Sequence, residues 1–193
     1  KYAQYIEKVI QYIQTGEIEI YYIPLNTSID EISKICGAIC FCINEIYQVQ
    51  PRIVQILSIL RFADNILNEE DSHGIIGEIK TGEGKSLIIT ILSIVLVFFG
   101  RKVDIVTSNV ELAKRDQREQ SMYFDLFSIV TSLFIHKEND IEFISSGLST
   151  LLGPDESNNY KYNINAFKCP VIYSTNSNLE HFYIYSIFDP NPV

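Results

Sequence analysis

Residues 75–86 read Ile-Ile-Gly-Glu-Ile-Lys-Thr-Gly-Glu-Gly-Lys-Ser, an apolar run that breaks into glycines and ends in a lysine and a serine. This order is typical of a loop that holds phosphate. The glycines let the backbone approach the anion, Lys85 supplies a positive charge, and the hydroxyl of Ser86 can bind Mg²⁺. The alternative interpretation is an ordinary glycine turn, in which such a short pattern arises by chance.

The strict form of the phosphate-loop motif has a glycine at the position that Ile79 occupies here. The flanking sequence therefore carries the interpretation. The apolar residues before the loop predict a buried strand, and the long apolar run over residues 87–99 predicts a helix. The amides and the positive dipole end of such a helix would face a bound anion.

The overall composition is that of a globular protein, with 47% apolar and 20% charged residues in a chain of 193. This length predicts one domain or two small lobes. The formal net charge is −9, whereas surfaces that bind nucleic acid are usually basic. The charge balance therefore argues against a nucleic-acid-binding protein.

Three of the four cysteines, Cys36, Cys40 and Cys42, lie close together and raise the hypothesis of a metal site. Their neighbours are apolar and the paired spacing of zinc ligands is missing, so we favour small apolar side chains on a buried helix. Nothing in the spacing indicates an extracellular disulfide framework, and a reducing compartment is expected. The acidic residues 69–71 are interpreted as a solvated loop, since they follow no strand.

The three histidines, His73, His136 and His181, have no partners at the spacing of a metal site or a catalytic triad, so surface or turn positions are expected. No secretory signal is recognised at the start, and residues 87–99 fall short of the ~20 residues of a membrane-spanning helix. Since the chain opens on Lys1 and not on methionine, we expect it to be part of a longer protein.

Hydrophobic periodicity and turn signals predict alternating helices and strands along the chain. Helices are expected over residues 1–14, 28–48, 52–67, 87–99 and 111–127, and strands over 17–23, 103–106, 128–135 and 170–173. The helix at residue 28 should begin with a capping box formed by Ser28 and Glu31. Residues 137–168 carry turn signals and predict no clear element.

Four separated stretches resemble the family of SecA, the motor ATPase of bacterial protein export. Residues 79–86, I-K-T-G-E-G-K-S, are similar to the family's M-[RK]-T-G-E-G-K-T, which also lacks the first glycine. Residues 51–56 resemble the segment with the family's adenine-contacting glutamine. Residues 106–116 resemble V-T-V-N-x-x-L-A-x-R-D, and residues 172–176 resemble I-T-Y-[GS]-T-N. The resemblance covers about residues 30–180.

This resemblance implies an α/β, three-layer, RecA-like P-loop domain with a mostly parallel sheet. The N-terminal helical segment would span residues 1–50 and the partial nucleotide-binding domain residues 51–193. ATP, ADP and Mg²⁺ are the implied ligands, with Ser86 on the metal. The nucleotide-binding residues that it implies are Gln55, Lys80, Thr81, Gly82, Glu83, Gly84, Lys85, Ser86 and Arg115. Further implications are a cytoplasmic location, peripheral at a membrane, a polypeptide substrate and a membrane translocon as partner.

Two departures from the family pattern bear on activity. The family continues T-N-N-E-x-G-F-D-Y-L-R-D, whereas Asn176 is followed here by Ser-Asn-Leu-Glu-His-Phe-Tyr-Ile-Tyr. The family's acidic D-E-x-D segment is also expected beyond residue 193. We therefore predict nucleotide binding, assign no catalytic residue, and do not expect hydrolysis by this chain alone. A degenerate module that acts as a scaffold is the alternative, and a nucleic-acid helicase is a third, disfavoured hypothesis.

Overall fold

The computed structural model describes residues 28–68, 74–136, 141–146 and 164–188. The chain divides into two compact units, residues 1–101 and residues 102–193. The helix predicted over residues 1–14, the strand over 17–23, the acidic residues 69–71 and His73 lie outside the described residues.

The described part of the first unit contains three helices: α1 (Ile29–Tyr47), α2 (Ile53–Asn68) and α3 (Lys85–Phe98). Helix α1 begins at the predicted capping box. The Ser28 hydroxyl accepts a hydrogen bond from the Glu31 amide at 3.3 Å, and the Glu31 carboxylate accepts one from the Ser28 amide at 3.1 Å. These two bonds satisfy amide donors that the helix itself leaves without partners.

The core of the first unit lies where the three helices pack against one another. Its largest fully buried side chains are isoleucines and valine: Ile32, Ile39, Ile43, Ile59, Ile91, Ile94 and Val95. Helix α3 is buried on most of its surface, and it also buries the hydroxyls of Thr90 and Ser93. Each hydroxyl donates to the carbonyl four residues earlier, at 2.8 and 2.7 Å, so neither is buried without a hydrogen bond.

The buried strand predicted before the phosphate loop is not observed. Residues 74–80 have no regular secondary structure, and Ile76 is 98% exposed. A strand is stabilised by pairing with a neighbour, and no described strand pairs with this segment. The apolar composition of residues 75 and 76 was therefore insufficient to predict a strand.

The second unit is built on a four-stranded sheet of β1 (Val103–Thr107), β2 (Thr131–His136), β3 (Ile141–Ser146) and β4 (Val171–Thr175). The strand order is β1-β4-β2-β3. Strands β1, β4 and β2 are parallel, and β3 runs antiparallel to β2 at one edge. The predicted α/β class with a mostly parallel sheet is confirmed.

Helices cover both faces of this sheet. Successive side chains of a strand point to opposite faces, so each face carries apolar side chains that a helix can bury. On one face, Phe124 of α4 (Val110–Asp125) meets Tyr173 of β4 edge to face, with ring centroids 6.4 Å apart. On the other, Phe134 of β2 contacts Phe167 of a 3₁₀ helix (Ile164–Lys168) and Phe182 of α5 (Asn176–Phe188). The second unit therefore has three layers.

Candidate functional site

The predicted phosphate loop turns through two glycines in the left-handed region. Gly82 has φ +84° and Gly84 has φ +76°, values that other residues rarely adopt. The Glu83 amide donates to the Lys80 carbonyl at 3.2 Å and closes the turn. Gly84 is the N-cap of α3 and provides no side-chain hydrogen bond. The first amides of this helix are therefore left without a side-chain acceptor, as an anion site at a helix start requires.

Lys85 and Ser86 are the first two residues of α3. The ammonium group of Lys85 donates to the carbonyl of Ile79 at 2.8 Å, so the lysine side chain folds back over the loop that precedes it. Thr81, Gly82, Gly84 and Lys85 are exposed, and Ser86 is half-buried. The loop thus presents a cation, backbone amides and a hydroxyl within one turn of chain.

Gln55 contacts the same loop from the start of α2. Its side chain is 6% exposed, and its Nε2 donates to the Glu83 carbonyl at 2.8 Å. Its Oε1 accepts from the backbone amide of Arg52 at 2.8 Å, which caps the first turn of the helix. The structure therefore brings together Gln55 and residues 80–86, all of them predicted site residues.

Arg52 is a member of this cluster that the sequence did not single out. Its Nη2 donates to the Glu83 carbonyl at 2.9 Å and forms an ion pair with the Glu83 carboxylate at 2.8 Å. The only available sequence signal was its position three residues before Gln55, which is the spacing of an N-cap and its N3 residue. The contact between Arg52 and Glu83 could not be predicted from neighbouring residues, because the two lie 31 residues apart in the chain.

In the second unit, two of the stretches used for the family resemblance lie side by side. Thr107 at the end of β1 lies opposite Thr175 at the end of β4. The Thr107 hydroxyl lies 2.9 Å from the Asn109 carbonyl and 3.4 Å from the Ser174 carbonyl. The Asn109 side chain accepts from the Leu112 amide at 2.9 Å and caps α4. Parallel strands place both stretches at one edge of the sheet.

Arg115, the remaining predicted site residue, lies in the second unit on α4 with 54% of its side chain exposed. Its Nε and Nη2 donate to the carboxylate of Asp116 at 3.0 and 2.6 Å. The hydrogen bond that the guanidinium donates to the Asp116 carboxylate raises the pKa of Arg115. Its contact with nucleotide stays a prediction, and the structure shows its partners within α4.

The cysteine cluster lies on α1, with Cys36 and Cys40 buried and Cys42 half-buried, as predicted for apolar packing. A hydrogen bond with Cys40 and burial raise the pKa of the Cys36 thiol, which favours the protonated form over a metal-binding thiolate. Across the described ranges, no group of three or more His, Cys, Asp or Glu side chains could hold a metal ion. Within the same ranges, every helix is too short or too polar to cross a membrane.

Comparison with known proteins bears on this site. A family model described as the SecA DEAD-like domain matches residues 26–187. The protein translocase subunit SecA of Ehrlichia canis is 33% identical over 111 residues, 58% of this chain and 11% of that protein. The protein of the same name from Campylobacter lari is 24% identical over 174 residues, 89% of this chain and 18% of that protein.

A third relative, the protein translocase subunit SecA of Afipia carboxidovorans, is 39% identical over 77 residues, 40% of this chain and 8% of that protein. The chain thus matches less than a fifth of the length of each of these relatives. The family match, in contrast, takes in most of the chain and both described units. It includes the phosphate loop, the Gln55 segment and the ends of β1 and β4. This chain belongs to the SecA DEAD-like domain family.

Proposed function

We propose that this chain binds ATP through the loop of residues 80–86, with Gln55 on the adenine base. One observation supports the proposal most directly. The buried carboxamide of Gln55 is hydrogen-bonded to the loop at Glu83, immediately before a helix start that has no side-chain cap. A base-reading group and an anion-binding helix start therefore belong to one hydrogen-bonded unit.

The residues of the loop have distinct parts in this proposal. The ammonium of Lys85, now on the Ile79 carbonyl, would turn to the β and γ phosphates. The amides at the start of α3 would donate to phosphate oxygens. Ser86 would hold Mg²⁺, which when bound neutralises charge on the phosphate chain. The left-handed Gly82 and Gly84 let the loop turn without adding side chains of their own where the phosphates would lie.

The relatives are named protein translocase subunits, and we propose that this chain serves the same purpose. In that role it forms the N-terminal nucleotide-binding part of a SecA-like motor that couples ATP hydrolysis to polypeptide translocation. The motor would work in the cytoplasm at a membrane translocon. The acidic residues that hydrolysis needs would come from the rest of such a protein, since a phosphate cradle and a metal contact supply only part of the chemistry.

Calorimetric titration with Mg-ATP and Mg-ADP tests nucleotide binding. We expect saturable binding to the unaltered chain and an affinity at least about tenfold lower in Lys85→Ala, because the variant loses the charge that meets the phosphates. Lys34→Ala is the matched control, since it removes a lysine of α1 that belongs to neither the loop nor the Gln55 segment. Absence of binding by the folded chain, or equal affinities in the two variants, would contradict the proposal.

A further inference from the structure

We infer that Arg52 is a positioning residue that fixes the Gln55 carboxamide against the phosphate loop and thereby sets the preference of the site for adenine. The inference rests on the proposed binding of ATP at this loop and goes beyond it, since it names the residue on which base selection depends. It comes from the contacts that Arg52, Gln55 and Glu83 make with one another.

The carboxamide of Gln55 is held at both ends and still has hydrogen-bonding capacity. Its Oε1 accepts from the Arg52 amide and its Nε2 donates to the Glu83 carbonyl, both at 2.8 Å. A carboxamide oxygen accepts two hydrogen bonds and the nitrogen donates two, so one acceptor site and one N–H are left. Together these match the N6 donor and N7 acceptor on the edge of adenine.

Arg52 supplies one of the two groups that hold this carboxamide and contacts the other. Its backbone amide bonds to Oε1, while its guanidinium bonds to the carbonyl and to the carboxylate of Glu83. The Glu83 carbonyl therefore accepts from two side chains at once. Since Glu83 lies between Gly82 and Gly84, two residues with wide backbone freedom, this carbonyl depends on its hydrogen bonds for a fixed position.

An electrostatic role for Arg52 is the competing explanation, in which its charge attracts the phosphates. The guanidinium is paired with a carboxylate at 2.8 Å, so the pair brings little net charge to the loop. Its two side chains are 52% and 45% exposed, and ion pairs as exposed as this contribute little to stability. The geometry of the bonds to Glu83 is what distinguishes Arg52 from another surface cation.

The two explanations differ in the ligands they affect. A charge acts on every polyphosphate equally, whereas a displaced carboxamide affects only ligands that carry the base. The experiment is a titration of the full chain with Mg-ATP, Mg-GTP and Mg-tripolyphosphate. The proteins are the unaltered chain, Arg52→Ala, Arg52→Lys and the control Arg61→Ala, which removes an exposed arginine from α2, the helix that Arg52 precedes.

We expect the unaltered chain and Arg61→Ala to bind Mg-ATP more tightly than Mg-GTP and Mg-tripolyphosphate. In Arg52→Ala the ratio of ATP to tripolyphosphate affinity should fall about fivefold or more, with tripolyphosphate affinity little changed. Arg52→Lys keeps the charge without the forked donor and should lose most of the ratio as well. Because Arg52→Lys keeps the positive charge, it separates the effect of losing that charge from the effect of displacing Gln55.

Four results would overturn the inference. An unchanged ratio in Arg52→Ala would show that Arg52 does not position Gln55. An equal loss for all three ligands would assign Arg52 a role in phosphate binding and not in base selection. An unaltered chain that binds all three ligands equally would show that the site does not select the base, while the proposed phosphate binding would stand. Failure to bind any of the three would overturn both proposals together.

Discussion

A methyl group added to the α-carbon of Gly84 would overlap the side-chain nitrogen of Gln55. The two residues belong to different motifs of the sequence, and the missing side chain of one lets the carboxamide of the other reach the loop. Gly84 also has φ +76°, so its conformation and its close contact both require glycine. Gly82 also has a left-handed conformation, but it has no such close contact, since nothing lies within 4 Å of the position that a β-carbon would occupy.

This difference predicts distinct outcomes for two matched variants. Gly82→Ala should cost about 1–2 kcal/mol of unfolding free energy, the strain of a left-handed alanine. Gly84→Ala should cost more, because it adds the overlap with Gln55, and it should also weaken Mg-ATP binding. Denaturant unfolding and calorimetry measure the two effects. Equal losses in both variants would show that the contact with Gln55 does not matter.

Helix α3 offers a second matched pair. Ile91 is fully buried, whereas Ile89 is 42% exposed on the same helix. Ile91→Ala should lower the free energy of unfolding by about 2–5 kcal/mol, because it leaves a cavity among the three helices. Ile89→Ala should cost less than about 1 kcal/mol, since much of its side chain already meets solvent. Chemical denaturation of both variants measures the difference, and similar values would mean that α3 does not bury the face described.

Asn109 is the N-cap of α4, and we expect this cap to stabilise the folded protein. Asn109→Ala should cost about 1 kcal/mol, because the Leu112 amide loses its acceptor. Asn109→Ser should recover most of that loss, as serine is an equally good N-cap. Thermal and denaturant unfolding of each variant would measure the change in the free energy of unfolding. A serine variant as unstable as the alanine variant would point to a role other than capping.

Three aromatic side chains join α5 to the sheet, and we expect them to stabilise the position of this helix. Phe182 stacks on Phe167 with ring centroids 4.4 Å apart and meets Phe134 edge to face. Phe182→Ala should cost about 2–4 kcal/mol and increase hydrogen exchange along α5, because it removes the ring that joins the helix to the sheet. Tyr183→Ala, a neighbour with 66% exposure, is the control and should change exchange little.

The elements with a strong local signal were predictable. The capping box at Ser28, the apolar periodicity of α1 and α2, and the β-branched run of β1 each depend on neighbouring residues, and the structure has all of them. The turn at residues 80–84 was predictable for the same reason, since its glycines lie close together in the sequence, whereas phosphate binding there stays a prediction. The resemblance to the SecA family added Gln55 and is confirmed by the family match.

Features that depend on distant partners were not predictable. The strand expected before the phosphate loop has no described partner and is absent. Strand β3 was missed because serines and turn residues surround it, and it forms by pairing with β2. Helix α5 was missed because its apolar residues follow no helical face. Arg52 was missed because Glu83 lies 31 residues away in the chain.

The exposed segment before the phosphate loop has a consequence for behaviour in solution. The exposed side chains of Ile75 and Ile76 and the half-buried Ile79 are apolar residues of the kind that favour association between molecules. Glu78 lies inside this segment and Lys80 follows it, and both charges discourage a second copy from pairing there. We therefore expect the charges of Glu78 and Lys80 to disfavour aggregation through this exposed apolar segment.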